Sequence, residues 1–242
     1  MTCALCLLEK PQRNSHIIPE FLYRELYDGL HRFHRLSTAA DSKNRLLQKG
    51  IREYLLCDEC EAKFSVYERY ASQVLFGGIE LTGRTEGSTV YFSNLDYSKF
   101  KLFQLSILWR ASVSSRPEFR QVKLGPHQEK LRLMLLEGNA GAPHDYPCLM
   151  FAITNEGRPV TDLIVQPSWA RISGHKCFRF VFGGMAWIHV SSRHTLPRSI
   201  LDSVLQSDGS CVIRLQDWSR MKFLTDTARE LVAAWKLQKD EM

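Results

Sequence analysis

Two Cys-x-x-Cys pairs, Cys3 with Cys6 and Cys57 with Cys60, are the residues whose types and spacing most directly specify chemistry. Deprotonated, they supply four thiolates, the complete ligand set of a tetrahedral structural zinc. Such a site has no open position and activates no water, so the metal acts as a staple. It closes a loop of 50 residues, and inside that loop lies His16, within the run Ser15-His16-Ile17-Ile18-Pro19. An imidazole titrates near neutrality and can take a proton at pH 7, which makes His16 the candidate working residue. A satisfied core histidine is the plainer reading of the same position.

These groups need elements to hold them. Ser15 to Ile18 is short, partly β-branched and stopped by Pro19, which predicts a strand. From Pro19, the residues Phe21, Leu22, Leu26 and Leu30 recur at helical spacing and predict a helix to about His34. His31 and His34, three apart on that helix, read as surface residues rather than metal ligands. Ser37 to Lys49 is polar and reads as a loop. Ile51 to Leu56 predicts a second strand. After Cys60 the stripe Phe64, Tyr67, Ala71, Val74 and Leu75 predicts a helix stopped by Gly77-Gly78. Glu61 and Glu68, seven residues apart, share a face of this helix. A base on one wall and carboxylates on the other is the minimum for metal-assisted phosphodiester hydrolysis.

The pattern Cys-x-x-Cys, then Ser-His-Ile-Ile-Pro, then Leu-Leu-Cys-x-x-Cys-Glu resembles the HNH, or His-Me finger (ββα-metal), endonuclease family in its zinc-bearing form. The likeness covers roughly the first third of the chain. It implies that His16 is the general base that deprotonates water and that the cysteines hold structural zinc. It further implies that Glu61, with Glu68, helps hold a single magnesium or manganese ion. Two positions depart from the pattern: the family's acidic residue before the histidine is Ser15 here, and its asparagine leading into the second strand is Arg52. A finger that has lost catalysis and serves as a nucleic-acid-binding or sensing module is therefore the alternative.

Beyond Gly78 the character changes, which places a boundary between a finger module, 1–78, and a larger domain, 79–242. Ile79 to Phe92 predicts one or two strands, Lys99 to Val113 a helix apolar nearly all round and hence buried, and Pro126 to Leu136 another helix. Cys148 to Thr154, Val160 to Val165 and Cys211 to Leu215 read as strands. Phe178 to Phe182 and Met185 to Val190 flank Gly183-Gly184 as a hairpin with a two-residue turn. A closing helix carries Leu224, Ala228, Leu231 and Trp235. The expected class is α+β, a zinc-stapled ββα finger followed by a mixed domain with antiparallel strands. Residues 103–110 and 182–187 resemble segments that accompany such fingers in uncharacterised bacterial proteins, some of them linked to defence against phage. Cys148, His175 and Asp162 could be assembled into a cysteine-hydrolase set, but their spacing gives no support, and a buried structural cysteine is the simpler reading.

The whole composition, 44% hydrophobic and 24% charged over 242 residues, is that of an ordinary globular chain and excludes a disordered or fibrous one. No run is apolar for long enough to cross a membrane, and the start has no secretory pattern. With three isolated cysteines and an odd total of 7, these features lead us to expect a cytoplasmic protein with reduced thiols. The formal net charge is +6, and Lys99, Lys101, Arg110, Arg116, Arg120, Lys123, Lys130 and Arg132 against Glu118 and Glu129 supply that excess within 99–136. If a polyanion binds, this segment holds its backbone, and Lys99, Lys101, Arg110, Arg116, Arg120 and Lys123 are the candidate contacts. A solvated helix face, or for Arg110 an internal ion pair, is the competing explanation. The expected partner is nucleic acid, in the leading reading DNA, and no coiled-coil signal marks a homodimer.

Overall fold

The computed structural model describes residues 1–38, 44–192, 194 and 196–240, with side chains as far as Lys236. A tight knuckle at Cys3 to Cys6 leads into β1 (Gln12–His16), which starts three residues earlier and stops two earlier than expected. A single 3-10 stretch, Glu20–Leu26, follows instead of a helix to His34. The reason is turn chemistry: the Asp28 carboxylate accepts from the main-chain nitrogens of Leu30 and Arg32, and Gly29 sits between. That local turn outcompetes the helical recurrence of Leu26 and Leu30. The chain instead forms a small ladder of β2 (Phe33–Arg35) and β3 (Arg45–Leu47) inside the expected loop. His34 thus lies on a strand and His31 in a left-handed turn, while residues 39–43 of that loop lie outside the described residues.

β4 (Arg52–Cys57) pairs antiparallel with β1 and sets His16 opposite Arg52 and Ser15 opposite Glu53. It runs directly into α1 (Asp58–Leu75), whose first turn carries Asp58, Glu59 and Glu61, the sign that suits the positive end of a helix dipole. Leu75 ends it, and Gly77, at φ +81°, makes the left-handed turn. The finger layout of two strands and a helix is therefore present, with a long excursion between the strands.

The rest forms one eight-stranded sheet. Its members are β5 (Thr82–Glu86), β6 (Thr89–Ser93), β7 (Cys148–Asn155), β8 (Arg158–Pro159), β9 (Val165–Ile172), β10 (His175–Phe182), β11 (Met185–Val190) and β12 (Cys211–Asp217). The order is β5-β6-β12-β7-β11-β10-β9, with β8 paired to β7. Every pairing is antiparallel except β12 with β7. The strand expected over Val160 to Val165 is displaced: β9 begins where that run ends and is the edge strand, which is where Pro167 is tolerated. The Gly183-Gly184 turn has φ of +58° and +74°, the conformation of a two-residue hairpin turn with both centres left-handed.

The helices of this region are α2 (Tyr97–Val113), α3 (His127–Glu137), the short α4 (Arg198–Leu201) and α5 (Lys222–Asp240). α2 is the central element. Asp96 caps it by accepting from the Lys99 main-chain nitrogen, and Phe100 to Ser112 are all buried. On one side Trp109 meets Phe64 of α1 edge-on at 6.2 Å, and on the other Phe103 meets Trp187 of β11 at 6.1 Å. One hydrophobic cluster consequently runs from Cys3 through Phe64 and Trp109 to Trp187, across the expected boundary at Gly77-Gly78. The opposite face of the sheet packs Ile188 and Val190 against Ile200 and Leu224. A zinc-finger-like β/helix segment followed by a larger, mostly antiparallel α/β domain is the architecture expected from the sequence.

Candidate metal centre and active site

Folding brings the four cysteines together: the Sγ atoms of Cys3, Cys6, Cys57 and Cys60 all lie within 4.8 Å of one another. Cys6 and Cys57 stand 3.9 Å apart, too far for a disulfide and close to the ~3.8 Å edge of a tetrahedron with metal–sulfur distances near 2.3 Å. The main chain prepares this geometry. Ala4 donates its N–H to Leu55 O at 2.9 Å, fastening the knuckle to β4, and Cys57 N donates to Cys3 Sγ at 3.3 Å. Cys57 ends β4 and Cys60 lies in the first turn of α1, where the Cys60 main-chain N–H favours the thiolate of Cys57 against its burial. Lys10 to Glu59 at 2.5 Å and Arg13 to Asp58 pin the knuckle across the helix start. The donor set fits a divalent ion of the zinc kind, whose chemistry here is cross-linking.

His16 ends β1 with its side chain 19% exposed, half-buried rather than sealed. Two groups converge on its Nε2. Arg52 Nε donates to it at 2.7 Å, and a Glu20 carboxylate oxygen contacts the same nitrogen. Both cannot be satisfied in one protonation state: a bare Nε2 accepts from Arg52, whereas a protonated one donates to Glu20. Burial first, and then the Arg52 charge, depress the imidazole to about 4, against the pull of Glu20. At neutral pH His16 is therefore an unprotonated base. Tyr27 donates its hydroxyl to the other oxygen of Glu20. Glu20 and Tyr27 were not legible as site residues, although Glu20 lies four positions after His16.

The carboxylates expected opposite His16 are placed differently. Arg110, 1% exposed, joins Glu68 at 2.8 Å and donates to the main-chain oxygen of His16 at 2.8 Å. Burial pushes the Glu68 carboxyl up, and Arg110 opposes that shift. Glu61 Oε1 is buried with no hydrogen-bond partner, on the same helical face as Glu68 but two turns, or about 10 Å along the axis, before it. The Glu61 charge is felt at Glu68, but a guanidinium already occupies Glu68, and the pair belongs to no group of three or more ligands among the described residues. Among the described residues, the four cysteines are the one group of three or more potential ligands brought within such range. The magnesium or manganese ion expected from the sequence does not fit these side chains. Ser15 is 3% exposed and receives Leu56 N at 3.3 Å, a structural post.

Compared with protein-family models, curated proteins and solved structures, the chain matches none.

The six basic candidates separate by burial. Lys101 and Arg110 are each 1% exposed. Lys101 Nζ donates to Tyr146 O at 3.0 Å, so neither reaches a solvent-borne phosphate, and that part of the expectation is corrected. Lys99 pairs with Asp96 at 2.7 Å. Arg116, Arg120 and Lys123 are exposed in the loop after α2. That loop is tied to the finger: Glu53, the neighbour of Arg52, accepts from Ser114 Oγ and Ser115 Oγ, each at 2.6 Å. Burial raises the Glu53 carboxyl, but these bonds outweigh it and hold the group below its usual range. The hydrolase set imagined from sequence is not assembled either. Cys148 stands 3.8 Å from His189, not His175, and burial pushes its thiol up to about 12. His175 bonds Ser192 at 2.8 Å.

Proposed function

We propose that the chain is a DNA endonuclease of the zinc-stapled ββα kind, cleaving phosphodiesters with His16 as general base. The observation that carries the reading is the partly exposed imidazole at the end of β1, with a carboxylate at the nitrogen that would receive the proton. Water loses a proton to Nε2 as its oxygen attacks phosphorus, and the new N–H donates to Glu20, which stabilises the imidazolium. Arg110 and Glu68 position His16 through its carbonyl rather than by touching substrate. Cys3, Cys6, Cys57 and Cys60 would hold a zinc ion that cross-links the knuckle to α1 and so fixes the hairpin that carries His16. Arg116, Arg120 and Lys123, on the loop anchored by Glu53, would hold the nucleic-acid backbone without reading bases. Such an activity would suit defence against phage.

The alternative, a module that binds without cutting, draws on the capping of Nε2 by Arg52. Plasmid nicking by the zinc-loaded protein decides between them. His16→Ala should lower nicking at least 100-fold at unchanged zinc content, and equal nicking by both proteins removes the mechanism. DNA retention in a gel shift without nicking by the native chain establishes the binding module instead.

A further inference from the structure

Arg52 places a positive charge beside the nitrogen of the base, and among the described residues no group of three or more potential metal ligands surrounds His16. Its Nε lies 2.7 Å from the base nitrogen and one of its terminal nitrogens 3.7 Å from Glu20, with the side chain 27% exposed. A guanidinium binds phosphate oxygens through paired, charge-assisted hydrogen bonds, better ones than an imidazole nitrogen can provide. Resting on the endonuclease reading, we propose that Arg52 is the phosphate-holding residue of this site, in the place of a catalytic cation. A phosphodiester draws the guanidinium off His16 and so exposes the base only when substrate is present.

The exchange is chemically complete. Arg52 turns its donors to two non-bridging oxygens, Nε2 becomes free to accept from water, and the water oxygen forms the new bond to phosphorus. The bond to the departing sugar oxygen breaks, that oxygen takes a proton from solvent, and His16 returns its own. No oxidant or metal enters the balance. The charged and titratable groups around His16 are Arg52 from β4, Glu20 from the 3-10 stretch and Arg110 from α2, with Tyr27 acting through Glu20 and Glu68 of α1 through Arg110. Arg110 is spent on Glu68 and the His16 carbonyl, whereas Arg52 is partly exposed and touches the base nitrogen itself.

The test uses the full zinc-loaded chain and a phosphorothioate-linked dT8 oligonucleotide, with the His16 ring followed by NMR through a pH series. Binding should raise the ring's titration midpoint by a unit or more. In Arg52→Gln the midpoint should already be raised, the oligonucleotide should leave it unmoved, and affinity should fall at least tenfold. Arg52→Lys should recover part of each. Nicking of plasmid should proceed in buffer stripped of magnesium and manganese at a rate within a few-fold of that with them added. Oligonucleotide that fails to bind, or binds without moving the His16 titration, overturns the proposal, as does full-rate nicking by Arg52→Gln. Nicking that strictly requires manganese and is lost in His16→Ala also overturns it while the endonuclease reading stands. No nicking under any ion, together with the Arg52-dependent shift, removes the endonuclease reading and leaves the phosphate site supported.

Discussion

Arg110 donates from Nη1 to the main-chain oxygen of His16 at 2.8 Å, tying the last turn of the central helix to the last residue of the first strand. The same guanidinium pairs with Glu68 at 2.8 Å, lies 5.4 Å from the Phe64 ring centre and also donates to Ser106 Oγ at 3.3 Å. Removing one member of a buried pair leaves the other uncompensated, at a cost of about 3 to 5 kcal/mol. Arg110→Met should therefore destabilise strongly in urea unfolding, and Arg110→Met with Glu68→Leu should recover most of the loss. A double variant no more stable than the single one would contradict the pairing.

The thiolate cluster should govern the stability of the amino end. Closing a 50-residue loop by a cross-link is worth about 4 kcal/mol in chain entropy alone. Cys57→Ser should lose bound zinc by elemental analysis and lower Tm by roughly 10 °C, and a chelator should do the same to the native chain. An unchanged Tm in metal-free protein would show that the cluster is ornamental to folding.

Two histidines make stability fall on acidification. His16 is depressed to about 4 and His189, by burial first and then by the Lys101 charge, to about 3, both below the ordinary 6.5. The unfolded chain therefore binds more protons than the folded one between those limits, and stability is lost as pH falls from 6.5 toward 3. His189→Gln should flatten the urea midpoint measured across pH 6.5 to 4; an unaltered slope would assign the loss to other groups.

Lys101 acts in a separate, alkaline window. Burial depresses its ammonium from 10.5 to about 8, so the unfolded chain again holds the extra proton, and stability should rise as pH passes from 8 to 10.5. Lys101→Met should abolish that rise and leave DNA affinity unchanged. Replacing Arg116, Arg120 and Lys123 by alanine should instead weaken binding and reduce its salt dependence by about one unit of slope for each phosphate no longer neutralised. A DNA-binding defect in Lys101→Met would overturn the assignment by burial.

Elements whose local rules agree were readable from the residues alone. The cysteine spacing, the Gly183-Gly184 hairpin and the apolar Phe100 to Trp109 helix each carry a self-sufficient signal, and each is found. The misread segments are those in which a local turn or a sheet edge overrides periodicity, as at Asp28-Gly29 and Pro167. Charge was the least informative property. Lys101 and Arg110 count toward a basic stretch in one dimension, yet they face inward on a helix buried between two layers. The composition of the His16 cluster was hidden for another reason: Arg52 joins through strand register, and Glu20, four positions after His16, joins across Pro19 between a strand and a 3-10 turn, where that interval carries no helical meaning.

The parallel strand in the sheet dictates an order of assembly during translation. β12 fills the gap between β6 and β7, pairing Cys211 with Phe92 on one side and Ile213 with Met150 on the other. The two parts of the sheet must therefore wait, edges exposed, until residues past 210 have left the ribosome, whereas the cysteine knuckles are complete by residue 60. All four thiolates are thus synthesised well before the sheet can close, and the open strand edges of that interval are what a chaperone would have to shield.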